Sequence, residues 1–187
     1  FLDALIIGYP DNPITRAQEI LSVSATITFT RYTNIFASRP WDWVLKPTVM
    51  PYYWDPQYVA VVSFSIGAVI IPVMVLMAIM ARRRHQPALF SLLWFLSTYA
   101  VWIPASLITD RMSYIFYFYP TVGAVCLGLG WLLSWTLDRA RLHPSVRRGR
   151  ALTAACWTFL AFHLVVLIML TPLFGFWASL EMTAPTG

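Results

Sequence analysis

The stretch that decides the fold is "SYIFYFYPTVGAVCLGLGWLLSWTL", residues 113–137, which contains no Asp, Glu, Lys or Arg. A helix of roughly 20 apolar residues is long enough to cross the hydrocarbon core of a bilayer, which is about 30 Å thick. An isolated strand cannot satisfy its backbone polar groups in lipid, whereas a helix can. The stretch therefore predicts a transmembrane helix.

Three further apolar runs without these charged residues flank it, at 58–80, 88–109 and 151–178. The whole chain has 59% hydrophobic and 11% charged residues and a mean hydropathy of +0.66. Soluble domains carry roughly 25% charged residues. The sequence predicts an all-α integral membrane protein, with four transmembrane helices in one block over 58–187.

The connections between these runs differ in charge. The segments 81–87, "ARRRHQP", and 138–150, "DRARLHPSVRRGR", together hold eight Arg, whereas the second connection holds Asp110 and Arg111. The positive-inside rule places Arg-rich loops in the cytoplasm. Residues 1–57 and the Asp110–Arg111 turn are then extracytoplasmic. Topology and attraction to anionic lipid account for the net charge of +5, so nucleic acid is not expected as a partner.

Residues 1–57 form a predicted extracytoplasmic juxtamembrane segment. Pro13 follows two candidate N-cap residues and starts an amphipathic pattern, which predicts a helix over about 13–30 on the outer membrane surface. An aromatic loop follows at 37–55 and includes "ASRPWDWVLKP". Its rings are typical of an aromatic belt at the headgroups. Its interleaved Arg and Lys also suit a phosphate-bearing lipid and the sugar on it.

Within this loop Asp42 lies between two Trp residues. We expect its carboxylate to cap a helix or to pair with Arg39 or Lys46. A role as a catalytic base is the less favoured alternative.

Small and cyclic residues interrupt the apolar runs. Gly123, Gly128 and Gly130 are expected to allow close packing of the third span. Pro72 and Pro104 are expected to kink or end helices.

His163 is the ionisable residue of the fourth run, so it is either functional or a neutral His bonded to a neighbouring helix. Cys126 and Cys156 lie at unrelated depths and indicate neither a disulfide framework nor a metal site. No zinc, P-loop or dinucleotide motif is present, and we expect no metal and no cofactor.

The order of the motifs resembles the C-terminal part of the protein O-mannosyltransferases. The residues that carry the resemblance are "NPI" (12–14), "ASRPWDW" (37–43), a Tyr/Trp cluster before a span, "DR" (110–111) and "YFYP" (117–120). In that family an extracytoplasmic S-x-P-W-x-W segment leads into a closing block of four transmembrane helices. The block is part of a larger bundle of the GT-C class.

The resemblance implies transfer of mannose from dolichyl or polyprenyl phosphate mannose to Ser or Thr hydroxyls of proteins. It implies inversion at the anomeric carbon, with a carboxylate as general base. The family's catalytic acidic residues lie in its first extracytoplasmic loop. The chain opens "FLDALIIGYP" without Met or a signal peptide, so we expect that loop in another part of a longer polypeptide. No catalytic residue is assigned within this fragment.

The resemblance implies a set of lipid-phosphate and substrate-binding residues: Arg39, Trp41, Trp43, Arg111, Tyr117 and Tyr119. Arg111 would face the lipid phosphate or brace the extracytoplasmic loops, and the two Tyr would line the same wall. The implied partners are the lipid donor, an acceptor protein, membrane lipid, the rest of the polypeptide and a second copy of the chain.

No β-trefoil insert of the kind seen in eukaryotic family members occurs, which favours the plasma membrane of an archaeon or bacterium over the endoplasmic reticulum. Two other functions fit the same residues. One is a GT-C transferase with another sugar or with a lipid or glycan acceptor. The other is a non-enzymatic four-helix membrane subunit.

Overall fold

The structure is a computed structural model that describes residues 13–54 and 57–171. It is mostly helical, and three of its helices are long and apolar enough to cross a membrane: Gln86–Thr109, Ile115–Arg141 and Val146–Leu170. The prediction of a helical membrane protein is thereby confirmed at this level. The tail, including the end of the predicted fourth span, lies outside the described residues.

The elements follow one another in a simple order. They are α1 (Pro13–Thr26), α2 (Asp42–Leu45), β1 (Val49–Trp54), β2 (Gln57–Val61), α3 (Phe64–Gly67), α4 (Ile70–Arg82), α5 (Gln86–Phe95), a π-helical segment (Leu96–Ala100), α6 (Trp102–Thr109), a 3-10 turn (Ile115–Phe118), α7 (Tyr119–Arg141) and α8 (Val146–Leu170).

The predicted first span, 58–80, is not a single helix. Its first residues form β2, which pairs antiparallel with β1, and the register shifts between Pro51 and Tyr53. The all-α prediction is therefore wrong in this segment, and the predicted aromatic loop contains α2 and β1. Aromatic and β-branched side chains favour strands. A short apolar run without periodicity does not distinguish a strand from a helix.

The helical remainder of the first apolar run is broken between α3 and α4. Pro72 explains the break, because a proline has no N–H and its ring clashes with the carbonyl four residues earlier, here that of Ala68. α4 alone has 13 residues, which gives a length of about 20 Å. It is therefore shorter than a membrane span, and a fourth span would require α3 as well.

The other boundaries also differ from those predicted. α1 ends at Thr26, before the predicted end at about 30, because the β-branched residues after it leave the helix and Thr28 pairs with Arg111. The second apolar helix widens into the π-helical segment just before α6. Pro104 accounts for this widening, since it cannot donate a hydrogen bond to the Ala100 carbonyl.

α7 is the central helix and packs against α4, α5 and α8. A Cβ at Gly128 would lie 2.9 Å from Met77, and one at Gly123 would lie 2.8 Å from Trp94. These two glycines allow the close packing that the sequence predicts. Gly130 does not, because nothing lies within 4 Å of a Cβ built there.

The connections divide the bundle into two ends. The α4–α5 and α7–α8 connections lie at one end, which we call the Arg-rich end. The α6–α7 connection lies at the other, which we call the Asp110 end. Residues 27–48, the covering segment, pack over the Asp110 end through hydrogen bonds to the α6–α7 connection.

Candidate functional site at the Asp110 end

Asp110 joins the covering segment to the connection between two spans. It follows the last residue of α6 with φ 49° and ψ 21°, a left-handed conformation that Asp tolerates better than most residues. Its carbonyl oxygen accepts a hydrogen bond from the Phe29 N–H at 2.9 Å. The Met112 N–H donates to the Ile27 carbonyl at 3.1 Å, on the other side of this pairing. The backbone of the covering segment is thus fixed at the end of α6.

The carboxylate of Asp110 completes this junction. One oxygen accepts hydrogen bonds from the Thr30 N–H at 3.0 Å and from the Thr30 hydroxyl. The other oxygen lies 2.6 Å from Nη2 of Arg39. The Thr30 hydroxyl and then Arg39 lower the pKa of the Asp110 carboxyl below its ordinary value. Asp110 therefore stays ionised at neutral pH. Its lowered pKa also makes the carboxylate a weak base, so it is poorly suited to general base catalysis.

Arg39 is held on several sides. Its Nη1 donates to the carbonyl oxygen of Ser106 at 3.3 Å and to its hydroxyl at 3.2 Å. The guanidinium carbon lies 4.2 Å from the centre of the Phe29 ring and 5.7 Å from that of Trp41. These contacts give Arg39 a bracing role between the covering segment and α6. Contact between Arg39 and a lipid phosphate stays a prediction.

The two Trp residues of the W-x-W motif have different surroundings. Trp43 is 3% exposed, and its Nε1 donates to the Ser38 hydroxyl at 2.8 Å. Its ring contacts Tyr99, Trp102 and Phe118, with centroid separations of 6.2 to 6.5 Å. Trp43 is therefore a core residue, whereas Trp41 is half-buried beside Arg39.

Asp42 forms the predicted ion pair with Lys46, whereas its contact with Arg39 is to the backbone N–H and not to the guanidinium, which pairs with Asp110. Its carboxylate lies 3.1 Å from Nζ of Lys46 and accepts the Arg39 N–H at 3.1 Å. An apolar cavity of about 270 Å³ lies beside this turn, between Trp43 and the α3 residue Phe64, with Lys46 among its lining residues.

The two predicted Tyr residues belong to different environments. Tyr117 stacks on Trp102, with ring centroids 4.5 Å apart and an angle of 21° between the planes. Tyr119 is 41% exposed and lines a cavity of about 320 Å³ that also includes Ser63 and His163. Of the two, Tyr119 is the one that borders this cavity.

His163 belongs to a short chain of hydrogen bonds. Its Nδ1 lies 2.6 Å from the Ser65 hydroxyl, which lies 2.8 Å from the Ser63 hydroxyl. Of the two interpretations of His163 given from the sequence, this contact matches the His that is bonded to a neighbouring helix. Neither serine was selected from the sequence, because a Ser within an apolar run carries no pattern that marks it as functional.

Arg111 lies next to Asp110 in the chain but not in its ion pair. The residue is half-buried and borders a cavity of about 10 Å³ with Trp102 and Ser113. Within residues 13–54 and 57–171, its guanidinium has no recorded hydrogen bond or ion pair. The cavity has room for roughly one water molecule. A phosphate would have to approach Arg111 from its exposed side.

The sequence did not identify Asp110, Thr30 and Ser106 as the residues that hold Arg39. Ser106 and Asp110 lie 67 and 71 residues from Arg39 in the sequence, and Thr30 contacts Arg39 only through Asp110. No local sequence pattern links these residues. Among the described residues, no group of three His, Cys, Asp or Glu side chains could hold a metal ion.

Arg39, Arg111, the aromatic rings beside them and the cavities lined by Lys46 and by Tyr119 are the candidate site at the Asp110 end. No protein-family model, curated protein or solved structure matches this chain. Its function is therefore inferred from its own residues.

Proposed function

We propose that this chain is part of a membrane glycosyltransferase that moves mannose from dolichyl or polyprenyl phosphate mannose to Ser or Thr hydroxyls of proteins. In this proposal the Asp110 end faces the extracytoplasmic side. Four segments cross the membrane, with α3 and α4 together forming the first of them. The plasma membrane of an archaeon or bacterium is the proposed location.

The observation that carries the proposal is the charge arrangement around Asp110. Arg39 neutralises Asp110, and Arg111 has no ion-pair partner among the described residues. An uncompensated cation at a membrane interface attracts anions. An Arg can also donate two parallel hydrogen bonds to phosphate oxygens. The phosphate of the lipid donor supplies the negative charge that this end of the bundle lacks.

The surroundings also suit a sugar attached to a lipid. The cavity beside Tyr119 combines hydroxyl groups and an imidazole with the apolar side chains of Val62 and Val122. Polar groups of this kind can bind sugar hydroxyls, and the apolar wall can contact the isoprenoid chain. The proposal assigns no general base to the described residues, because the resemblance implies catalytic acidic residues in another loop and both oxygens of the Asp110 carboxylate are already paired with Thr30 and Arg39.

The test measures transfer from radiolabelled polyprenyl phosphate mannose to a Ser/Thr-rich peptide, using membranes that contain the full-length protein. We expect Arg111→Ala to raise the KM for the lipid donor roughly tenfold or more, because it removes charge-assisted hydrogen bonds. Arg111→Lys retains the charge and should recover part of the loss. Arg31→Ala is the matched control, since Arg31 is an exposed residue of the covering segment at the same end of the bundle.

Arg39→Ala tests a different role. It removes the partner of Asp110, so we expect a lower amount of folded protein as well as lower transfer. An unchanged KM in Arg111→Ala would contradict the phosphate role of Arg111. A wild-type protein that transfers neither mannose nor any other sugar from polyprenyl phosphate would contradict the enzyme and favour the non-enzymatic subunit.

A further inference from the structure

A groove at the Arg-rich end is separate from the candidate site. It lies between the end of α7 and the first three turns of α8 and has a volume of about 430 Å³. Arg141 and His143 border it on one side, and α8 contributes Gly149, Arg150, Ala154 and Trp157.

The mouth of the groove is cationic. Arg141 and Arg150 both border it, and none of its described lining residues is acidic. In the described part of the chain, the acidic partner of these Arg residues is Asp138, whose carboxylate lies 3.8 Å from Nη1 of Arg141. Both side chains of this pair are mostly exposed, and such a loose pair holds an Arg only weakly. The two Arg residues are therefore available to an anionic ligand.

The groove is also long and becomes apolar along its length. The α8 residues that border it recur once per helical turn, at positions 146, 149–150, 153–154 and 157, so they lie on one face of the helix. At 1.5 Å per residue this face extends for about 17 Å. Trp157, which lies at the end of the groove within the span, is 61% exposed. The groove thus runs from the basic end into the apolar span.

Small residues keep this face open. Gly149 lies so close to the end of α7 that a Cβ there would be 2.5 Å from the Ala140 carbonyl oxygen. This approach fixes the start of α8 against α7. Thr153 and Ala154 follow one turn later and leave the volume between the helices unfilled.

We propose that this groove binds one anionic phospholipid, with its phosphate between Arg141 and Arg150 and an acyl chain along Ala154 and Trp157. Arg side chains bind phosphate oxygens directly. Basic pockets beside membrane-spanning helices suit anionic head groups. A free phosphate would use the mouth of the groove and leave its apolar part without a ligand. The site does not depend on the proposed transferase activity.

The test counts bound lipids by native mass spectrometry of the full chain in detergent, titrated with phosphatidylglycerol, phosphatidylcholine or inorganic phosphate. We expect phosphatidylglycerol to bind most tightly. Arg150→Gln should weaken its binding about fivefold, because one cation near the phosphate is lost. Arg150→Lys should retain most of the affinity. Arg148→Gln is the matched control, since Arg148 lies outside the groove.

A second pair of variants tests the acyl chain. Ala154→Leu fills the groove and should weaken phosphatidylglycerol binding about fourfold, while Ala155→Leu, outside the groove, should not. Circular dichroism of each variant checks that it folds. Equal affinity for the two lipids, or unchanged binding in Arg150→Gln, would overturn the proposal. Inorganic phosphate binding as tightly as the lipid, together with no effect of Ala154→Leu, would replace it with a free-anion site.

Discussion

Asp110 joins the covering segment to the end of α6 through one carboxylate and one carbonyl group. It receives hydrogen bonds from Phe29, Thr30 and Arg39. The sequence indicates that a charged turn follows the second span, but it does not show which charges meet there. Arg39 and Asp110 are 71 residues apart, so only the folded chain brings them together.

The pH dependence of stability tests this junction. The pKa of the Asp110 carboxyl is lower in the folded protein than its ordinary value, which is about 3.9 in an unfolded chain. Its stabilisation is therefore fully present above that value and is lost as the pH falls through the folded pKa. Thermal unfolding in detergent should show wild type more stable than Asp110→Asn at pH 7, with the difference shrinking below about pH 4.

Asp138→Asn is the control for this measurement. The Asp138 carboxylate lies 3.8 Å from Arg141, and both side chains are mostly exposed. We expect this variant to unfold as wild type does at both pH values. A difference between wild type and Asp110→Asn that persists unchanged at low pH would contradict the role of the ionised carboxylate.

At the scale of the elements, proline and glycine decide where helices break and where they touch. Pro72 separates α3 from α4, and Pro104 follows the π-helical segment. The sequence identifies these residues but not their effects. Whether a glycine allows two helices to pack closely depends on the side chains that face it from the other helix. Gly128 faces such side chains, and Gly130 does not.

These two glycines form a matched pair for mutation. A Cβ at Gly128 would lie 2.9 Å from both Met77 and Val73, so Gly128→Ala should destabilise the protein by about 1–3 kcal/mol. Gly130 has open space, so Gly130→Ala should be neutral or stabilising by up to about 1 kcal/mol. Chemical unfolding of the purified variants in detergent measures both. Equal effects would contradict the packing of α7 against α4.

At the scale of the whole molecule, the question is whether α3 and α4 cross the membrane together. Three described helices are long enough to span, and α4 by itself is not. The proposed four-span arrangement places the covering segment and the Arg-rich connections on opposite sides. A three-span arrangement would give a different labelling pattern.

Cysteine labelling tests this arrangement. Cys126 and Cys156 are replaced by Ala, and single cysteines are then introduced at the exposed positions Thr33 and Arg83. In sealed vesicles of one orientation, a reagent that does not cross membranes should label one of the two positions before permeabilisation and the other only after it. Labelling of both positions from the same side would contradict the fourth span.

The sequence by itself determined that the chain belongs in a membrane, because long runs without charge can be stable only where water is absent. It also located three spanning helices, since their lengths are read directly from those runs. Only the tertiary structure decided that the first run begins as a strand, because pairing with β1 satisfies its backbone groups. Only the tertiary structure decided that Asp110 holds Arg39 and that Trp43 lies in the core, because these contacts join residues distant in sequence.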